Sequence, residues 1–157
     1  MYEFVVDAML GDLAKWLRIL GRSTFYKATV EDEDVVKIAA SCRAVLVTRD
    51  RALYERARRM GVEAVYLGRV RLAEALKLLS KRYAIRLEVD LSDSRCPLCN
   101  GKLRFASRVE VKDRVPQRVL YSYTTFLVCE KCGHVYWPGR HLRNMRAFLR
   151  ELRSSSG

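Results

Sequence analysis

The first ninety residues alternate short apolar runs with stretches whose apolar positions recur every three to four residues. The runs predict strands over residues 3–7, 23–28, 44–48 and 63–67. Between them, Met9, Leu10, Leu13, Trp16, Leu17 and Leu20 share one face at helical spacing, with Lys15 and Arg18 opposite. Gly21 is placed to end that helix in the left-handed conformation. A second helix is expected over 33–41 with Asp32 as N-cap, and a third over 52–60 closed by Gly61. A fourth, over 72–82, would bury Leu72, Ala75, Leu76 and Leu79. Strands alternating with helices imply βα units, a parallel sheet and the α/β class.

The pattern changes near residue 90. Beyond Leu91-Ser92-Asp93-Ser94 come paired cysteines, β-like runs over 105–112 and 119–128, and one last helix. In that helix Leu142, Met145, Leu149 and Leu152 form an apolar seam. Arg143, Arg146, Arg150 and Arg153 form an adjacent stripe, either a solvated face or a contact for phosphates. The division expected is therefore 1–90 for an α/β domain, 91–153 for a cysteine-bearing β unit with its helix, and 154–157 for a polar tail.

Of the 157 residues, 50% are hydrophobic, which is enough for a packed core and argues against disorder. No apolar stretch approaches the roughly 20 residues that span a bilayer, so no membrane partner is expected. Met1-Tyr2-Glu3-Phe4 lacks the basic and apolar regions of a secretion signal, and the expectation is a cytoplasmic protein. The net charge of +12 favours phosphate polymers, with a merely basic protein as the plain alternative. The surplus is uneven, +4 over residues 1–90 and +8 over 91–157. That suits an acidic reaction centre joined to a substrate-gripping part, although two ordinary solvated surfaces would produce it as well.

Cys96-Pro97-Leu98-Cys99 and Cys129-Glu130-Lys131-Cys132 are two Cys-x-x-Cys knuckles. Two intervening residues let both thiolates of a knuckle reach one ion, and four sulfurs make a closed tetrahedral zinc site with bonds of about 2.3 Å. Asn100-Gly101 and Gly133 supply turn residues after each knuckle. A pair of disulfides is the rival, disfavoured in a reducing compartment. A redox role is weaker, since no thioredoxin-like βα unit surrounds either pair. Four ligands leave no open position, so the ion Zn²⁺ is expected to be structural. His134 is then a surface residue, His141 a packing or capping residue, and Cys42 a small core residue without a histidine partner.

In a parallel sheet, ligands gather at the carboxyl ends of the strands. Asp7 closes the first predicted strand, Asp50 follows the third, and Glu31-Asp32-Glu33-Asp34 follows the second. Three distant carboxylates would thus meet on one edge, and hard oxygen donors favour Mg²⁺ or Mn²⁺. Each has an ordinary alternative: Asp7 and Asp50 as helix caps, and the acidic run as a helix start favoured by the macrodipole. Asp12, on the flank of the first helix, either assists or is simply exposed.

These residues, taken together, resemble a known family. The string Val6-Asp7-Ala8-Met9-Leu10-Gly11-Asp12-Leu13-Ala14-Lys15-Trp16-Leu17-Arg18-Ile19-Leu20-Gly21 is similar to the opening of the Mut-seven C-terminal RNase domain family, a branch of the PIN-like nucleases. Asp32-Glu33-Asp34-Val35-Val36, Val47-Thr48-Arg49-Asp50-Arg51-Ala52-Leu53, Cys96-Pro97-Leu98-Cys99-Asn100-Gly101 and the segment from Cys129 to His141 resemble its later blocks, in order. The resemblance implies a PIN-like α/β/α sheet with a zinc ribbon, and metal-dependent cleavage of RNA. Its acidic positions fall on Asp7, Asp32 and Asp50, with Asp34 as the alternative to Asp32. Where PIN-like sites often have a fourth carboxylate, this chain reads Leu67-Gly68-Arg69-Val70-Arg71, without an acid.

The expectation is a ribonuclease in which Asp7, Asp32 and Asp50 hold Mg²⁺ or Mn²⁺, Arg49 and Arg51 hold phosphates, and Thr48 orients a metal-bound water. Tyr121, Tyr123, Tyr136 and Trp137 are either stacking surfaces for RNA or ribbon core. The alternative is a non-catalytic RNA- or ribosome-binding zinc-ribbon protein, which needs the charge and the ribbon but no metal at the aspartates. A phosphoacceptor receiver would want an acidic pair after the first strand, where Ala8-Met9 stands, and the glycine-rich nucleotide motifs are absent.

Overall fold

The computed structural model describes residues 1–155. Strands β1 (Phe4–Val6), β2 (Thr24–Phe25), β3 (Val45–Thr48) and β4 (Ala64–Tyr66) form a parallel sheet in the order β2-β1-β3-β4. Helices α1 (Gly11–Ile19) and α4 (Leu72–Tyr83) cover one face, and α2 (Asp32–Cys42) and α3 (Arg51–Arg59) the other. This is the expected α/β/α arrangement. The two-residue period of β1 sorts its side chains between two cores: Phe4 and Val6 pack with Leu13, Leu17, Leu76 and Leu79, while Val5 packs with Val35, Val36, Leu53 and Ala57. Because both faces are covered, β1 is buried throughout, and its sequence is a continuous apolar run rather than an alternation.

The second part is a three-stranded antiparallel sheet of β5 (Leu103–Ala106), β6 (Phe126–Cys129) and β7 (Val135–Tyr136), in that order. The long strands expected over 105–112 and 119–128 are not formed. The second half of the first run and the first half of the second are helical, as α5 (Arg108–Val111) and α6 (Gln117–Ser122). Ser107 caps α5 by accepting from the Glu110 N–H, Glu110 pairs with Arg104 of β5, and Pro116 stands at the N-cap of α6. The apolar residues that suggested strands, Val111 and Val119, instead point from these helices into the small core around Phe126 and Val128.

The chain ends in α7 (Arg140–Ser154), whose Leu149 and Leu152 join the first core of the parallel sheet and whose Phe148 ring lies 5.3 Å from that of Trp16. The arginine stripe is only partly available to solvent partners. Arg146 donates to the Val89 carbonyl at 3.2 Å and Arg153 to that of Leu87, so both fasten α7 to the connection between the two sheets. Of the expected polar tail, Ser154 ends the helix and Ser155 follows it; residues 156–157 lie outside the described residues.

Four local expectations are corrected. Helix α1 starts at Gly11, so Met9 precedes it and is 77% exposed rather than buried. Asp32 is the first residue of α2, with Glu31 at the N-cap and no side-chain cap bond. Leu72 is half-buried, whereas Ala75, Leu76 and Leu79 are buried as expected. Arg18, expected on the solvent face, is only 5% exposed. Its guanidinium donates from Nε to the Thr24 carbonyl at 3.0 Å and from a terminal nitrogen to the Pro97 carbonyl at 2.9 Å. Burial lowers its pKa below the ordinary guanidinium value, and the nearby Cys96 and Cys99 sulfurs oppose that shift.

Thr24 lies on an edge strand, where its outward N–H and carbonyl would otherwise be open. Arg18 takes the carbonyl, and the Asn100 side chain takes the N–H at 2.9 Å while donating to Ser23 Oγ at 3.1 Å. Two more bonds join α1 to the first cysteine knuckle: Arg95 N–H to the Arg18 carbonyl at 2.8 Å, and Ser94 Oγ to the Ile19 carbonyl at 2.6 Å. Replacing Arg18 by Ala strands the buried Thr24 carbonyl and the half-buried Pro97 carbonyl, and is expected to cost about 2–4 kcal/mol in urea unfolding. Lys, which lacks the planar fork, is expected to recover less than half of that.

Candidate metal centres

The four cysteine Sγ atoms lie within 4.8 Å of one another. Cys96 and Cys132 are separated by 3.8 Å, and Cys99 and Cys129 by 3.4 Å. Sulfurs at about 2.3 Å from a tetrahedral ion stand about 3.8 Å apart, so the donor set fits structural zinc. No cysteine is in a disulfide. Backbone N–H groups point at the sulfurs, Gly101 at Cys99 and both Lys131 and Cys132 at Cys129, each at 3.4 Å. Burial opposes ionisation of Cys129, but the N–H groups of Cys132 and Lys131 outweigh it and bring the thiol down to about 7. Burial dominates at Cys99, whose thiol is pushed up to about 12.

The turn residues expected after the knuckles have definite tasks. Asn100 adopts φ +70°, a left-handed conformation that Asn tolerates, and this turns its amide toward β2. Gly101 leaves space: a Cβ there would lie 2.7 Å from Cys129 Sγ and 3.2 Å from Cys99 Sγ. The Tyr136 hydroxyl lies 3.0 Å from Cys96 Sγ, and its pKa is raised by burial first and by that contact second. Tyr123 and Trp137 also pack on the ribbon core, while Tyr121 is exposed. His134 is exposed with its ring 4.6 Å from Tyr136, and His141 sits exposed in the first turn of α7, whose N-cap makes no side-chain bond. Cys42 ends α2 and packs partly against the second core.

The second centre lies at the carboxyl edge of the parallel sheet. Chain order and sheet order diverge between β1 and β3, so the loops after these strands leave toward opposite faces and open a crevice there. Asp7, after β1, is 5% exposed. Its Oδ1 accepts from the Met9 N–H at 2.9 Å, and its Oδ2 accepts from the Thr48 hydroxyl and, at 3.4 Å, from the Arg49 N–H. The same hydroxyl accepts from the Asp50 N–H at 2.9 Å. Thr48, fully buried, therefore ties the first acidic position to the second, where the sequence suggested a role in orienting water.

Asp50 is exposed and caps α3, its Oδ1 accepting from Ala52 at 2.9 Å and Leu53 at 3.3 Å, which leaves Oδ2 without a donor among the described residues. Capping and an open carboxylate oxygen coexist in one residue. Asp32 and Asp34 are exposed in the first turn of α2, while Glu33 is paired with Lys37 at 3.5 Å. Among the described residues the four cysteines are the only group of three or more His, Cys, Asp or Glu side chains close enough together to hold one ion, and Asp7, Asp32 and Asp50 are not gathered into such a group. Arg49 donates to the Gly68 carbonyl at 2.9 Å and lines a cleft of about 130 Å³ with Asp12 and Leu67. Arg51 turns along the outside of α3 toward Glu55 at 3.5 Å. The two arginines flanking Asp50 thus point to different surroundings.

A parallel α/β/α sheet joined to a small antiparallel sheet with a cysteine quartet suited to zinc defines the class of the protein as α/β. The chain belongs to the Mut7-C RNAse domain family, whose model matches residues 2–149. This is a nuclease-type family, and an RNase domain implies RNA as substrate. No curated protein and no solved structure matches the chain. No helix among the described residues is long and apolar enough to cross a membrane.

Zinc content measured by atomic emission is expected at one ion per chain. Gly101→Ala must push sulfur or the Lys131 Cβ aside, and is expected to lower zinc affinity at least about tenfold in a chromogenic chelator competition.

Proposed function

We propose that the protein is a metal-dependent ribonuclease whose reaction centre is the carboxyl edge between β1 and β3. The observation that supports this reading is the Thr48 hydroxyl, which donates to buried Asp7 and accepts from the Asp50 backbone N–H, linking the acidic positions that follow β1 and β3. Asp7, Asp50 and Asp32, or Asp34 in place of Asp32, are the ligands for Mg²⁺ or Mn²⁺; an all-oxygen donor set suits these hard cations. When bound, such an ion supplies an activated water and offsets charge on the phosphoryl oxygens.

The protein's own groups do the rest. The Met9 and Arg49 N–H groups and the Thr48 hydroxyl orient Asp7, and its Oδ1, which accepts only one of these bonds, keeps acceptor capacity for an ion. Asp50 is fixed through Oδ1 and presents Oδ2. Arg49, held by the Gly68 carbonyl, has further N–H groups for a phosphate oxygen of the strand being cut. Arg51 serves an adjacent phosphate when it leaves Glu55, an exposed pair worth little. Asp12, across the cleft from Arg49, is a further carboxylate near this edge in a chain whose residues 67–71 carry none. The zinc of the ribbon has no part in hydrolysis, since four sulfurs leave no position for water.

Asp50→Asn keeps the α3 cap and removes the charge; Asp7→Asn keeps an acceptor for Thr48. Each is expected to reduce Mn²⁺-dependent cleavage of single-stranded RNA by at least about 100-fold, with the unfolding free energy within about 1 kcal/mol of wild type for Asp50→Asn and lowered by about 1–3 kcal/mol for Asp7→Asn, whose amide nitrogen meets a donor. Wild-type protein that binds RNA but cleaves none of a varied set with millimolar Mn²⁺ present would leave the binding-only, ribosome-associated reading in its place.

A further inference from the structure

A cavity of about 350 Å³ lies between the ribbon, the start of α7 and the connection running through Val89 and Arg95. Its size falls in the range of about 300–1,000 Å³ typical of small-ligand sites. The walls are mostly apolar, with Leu142 and Met145 on one side and the ring of Trp137 on another. Among the described residues, the only ionisable side chains in its wall besides Tyr136 are Arg95, Arg140, His134 and His141, and no carboxylate lines it. The reaction centre proposed above uses none of these residues. Ile19, which also lines the cavity, is at the far end of α1 from Asp12, about 10 Å along the helix axis.

We propose that this cavity is a nucleotide subsite, holding one base of an RNA strand in the apolar slot with its phosphate on Arg95 and Arg140. The proposal rests on the ribonuclease reading for the identity of the polymer, and adds where a nucleotide remote from the scissile bond is held. A base has a flat apolar face suited to Trp137 and an edge of donors and acceptors suited to the imidazoles of His134 and His141. Arginines at the rim with no acid among them are the electrostatic complement of a phosphate and repel a cationic peptide. The slot is preformed. Trp137 is seated on the ribbon core and against Gly139, where a Cβ would lie 3.1 Å from the indole. Tyr136 is held by Cys96, and Arg95 by the Asn100 carbonyl at 3.0 Å. A ligand therefore meets walls already ordered by the zinc knuckles and pays little for arranging them.

The test uses zinc-loaded full-length protein carrying Asp7→Asn, so that no RNA is consumed and a failure of the cleavage reading leaves this experiment readable. The two indole N–H resonances, from Trp16 and Trp137, are assigned with Trp137→Phe. Titration with adenosine and uridine monophosphates is expected to shift the Trp137 signal saturably and to leave Trp16 in place. Inorganic phosphate at equal concentration is expected not to saturate it. Arg140→Gln and His141→Gln change exposed side chains that the fold does not use, and each is expected to weaken nucleotide binding about tenfold or more, with Arg140→Lys intermediate. An unmoved Trp137 signal at millimolar nucleotide would overturn the proposal, as would saturation by an uncharged apolar ligand or a peptide alone, or nucleotide affinity unchanged in Arg140→Gln.

Discussion

The backbone of Thr24 is the point on which the two halves of the molecule depend. A two-residue edge strand cannot leave its outward N–H and carbonyl buried and unpaired. Both are completed from outside the sheet, one by Arg18 of α1 and the other by Asn100 of the first knuckle. Arg18 reaches on to Pro97, so a single buried guanidinium closes the sheet edge and seats the knuckle on it. Taking a charge out of water is expensive, and the two carbonyls that accept from the guanidinium, with the Cys96 and Cys99 sulfurs nearby, are what make this position tolerable. The ribbon is thereby part of the structural support of the sheet rather than a tethered appendage.

The connection through residues 86–95 and helix α7 repeat the theme. Arg146 and Arg153 spend their donors on carbonyls of that connection, and Leu149 and Leu152 complete a core begun by β1 and α1. A stripe of arginines on a helix is thus divided between internal fastening and outward charge. Much of the positive surplus of the second segment is used in the same way: Arg104 on Glu110, Arg108 on the Tyr123 carbonyl, Arg114 on the Gly133 carbonyl. The cations left over, near the cavity beside Trp137 and along the outer face of α7, are those with capacity for an anionic polymer.

At the carboxyl edge the economy runs the other way. Asp7 and Asp50 are held there by N–H donors and one hydroxyl. The fold makes this arrangement through a strand order in which neighbouring β1 and β3 send their following chains to opposite faces. An acid that caps a helix through one oxygen still has a second oxygen to offer. Capping and ligation, which compete as readings of a sequence, are compatible in three dimensions at Asp50.

The parallel strands, the four flanking helices and the cysteine quartet were legible from the chain because each is written locally. Apolar period separates strand from helix, and a Cys-x-x-Cys turn specifies its own geometry. The same local logic misassigned Val111 and Val119, since a buried β-branched residue suits a short helix packed on a sheet as well as a strand, and the Ser107 cap and Pro116 decided between them. It also put Arg18 in solvent, because helical spacing says which side of α1 a residue occupies but not what arrives there seventy-nine positions later. The sequence by itself determined the elements of the parallel sheet and its flanking helices, the sheet's class and the cysteine quartet, all set by neighbours within a few residues. Only the tertiary structure decided that Thr48 links Asp7 to Asp50, that Asn100 completes Thr24, and that α7 closes the first core. Those are contacts between residues far apart in the chain, and their selection depends on how buried polar groups find partners once the layers have packed.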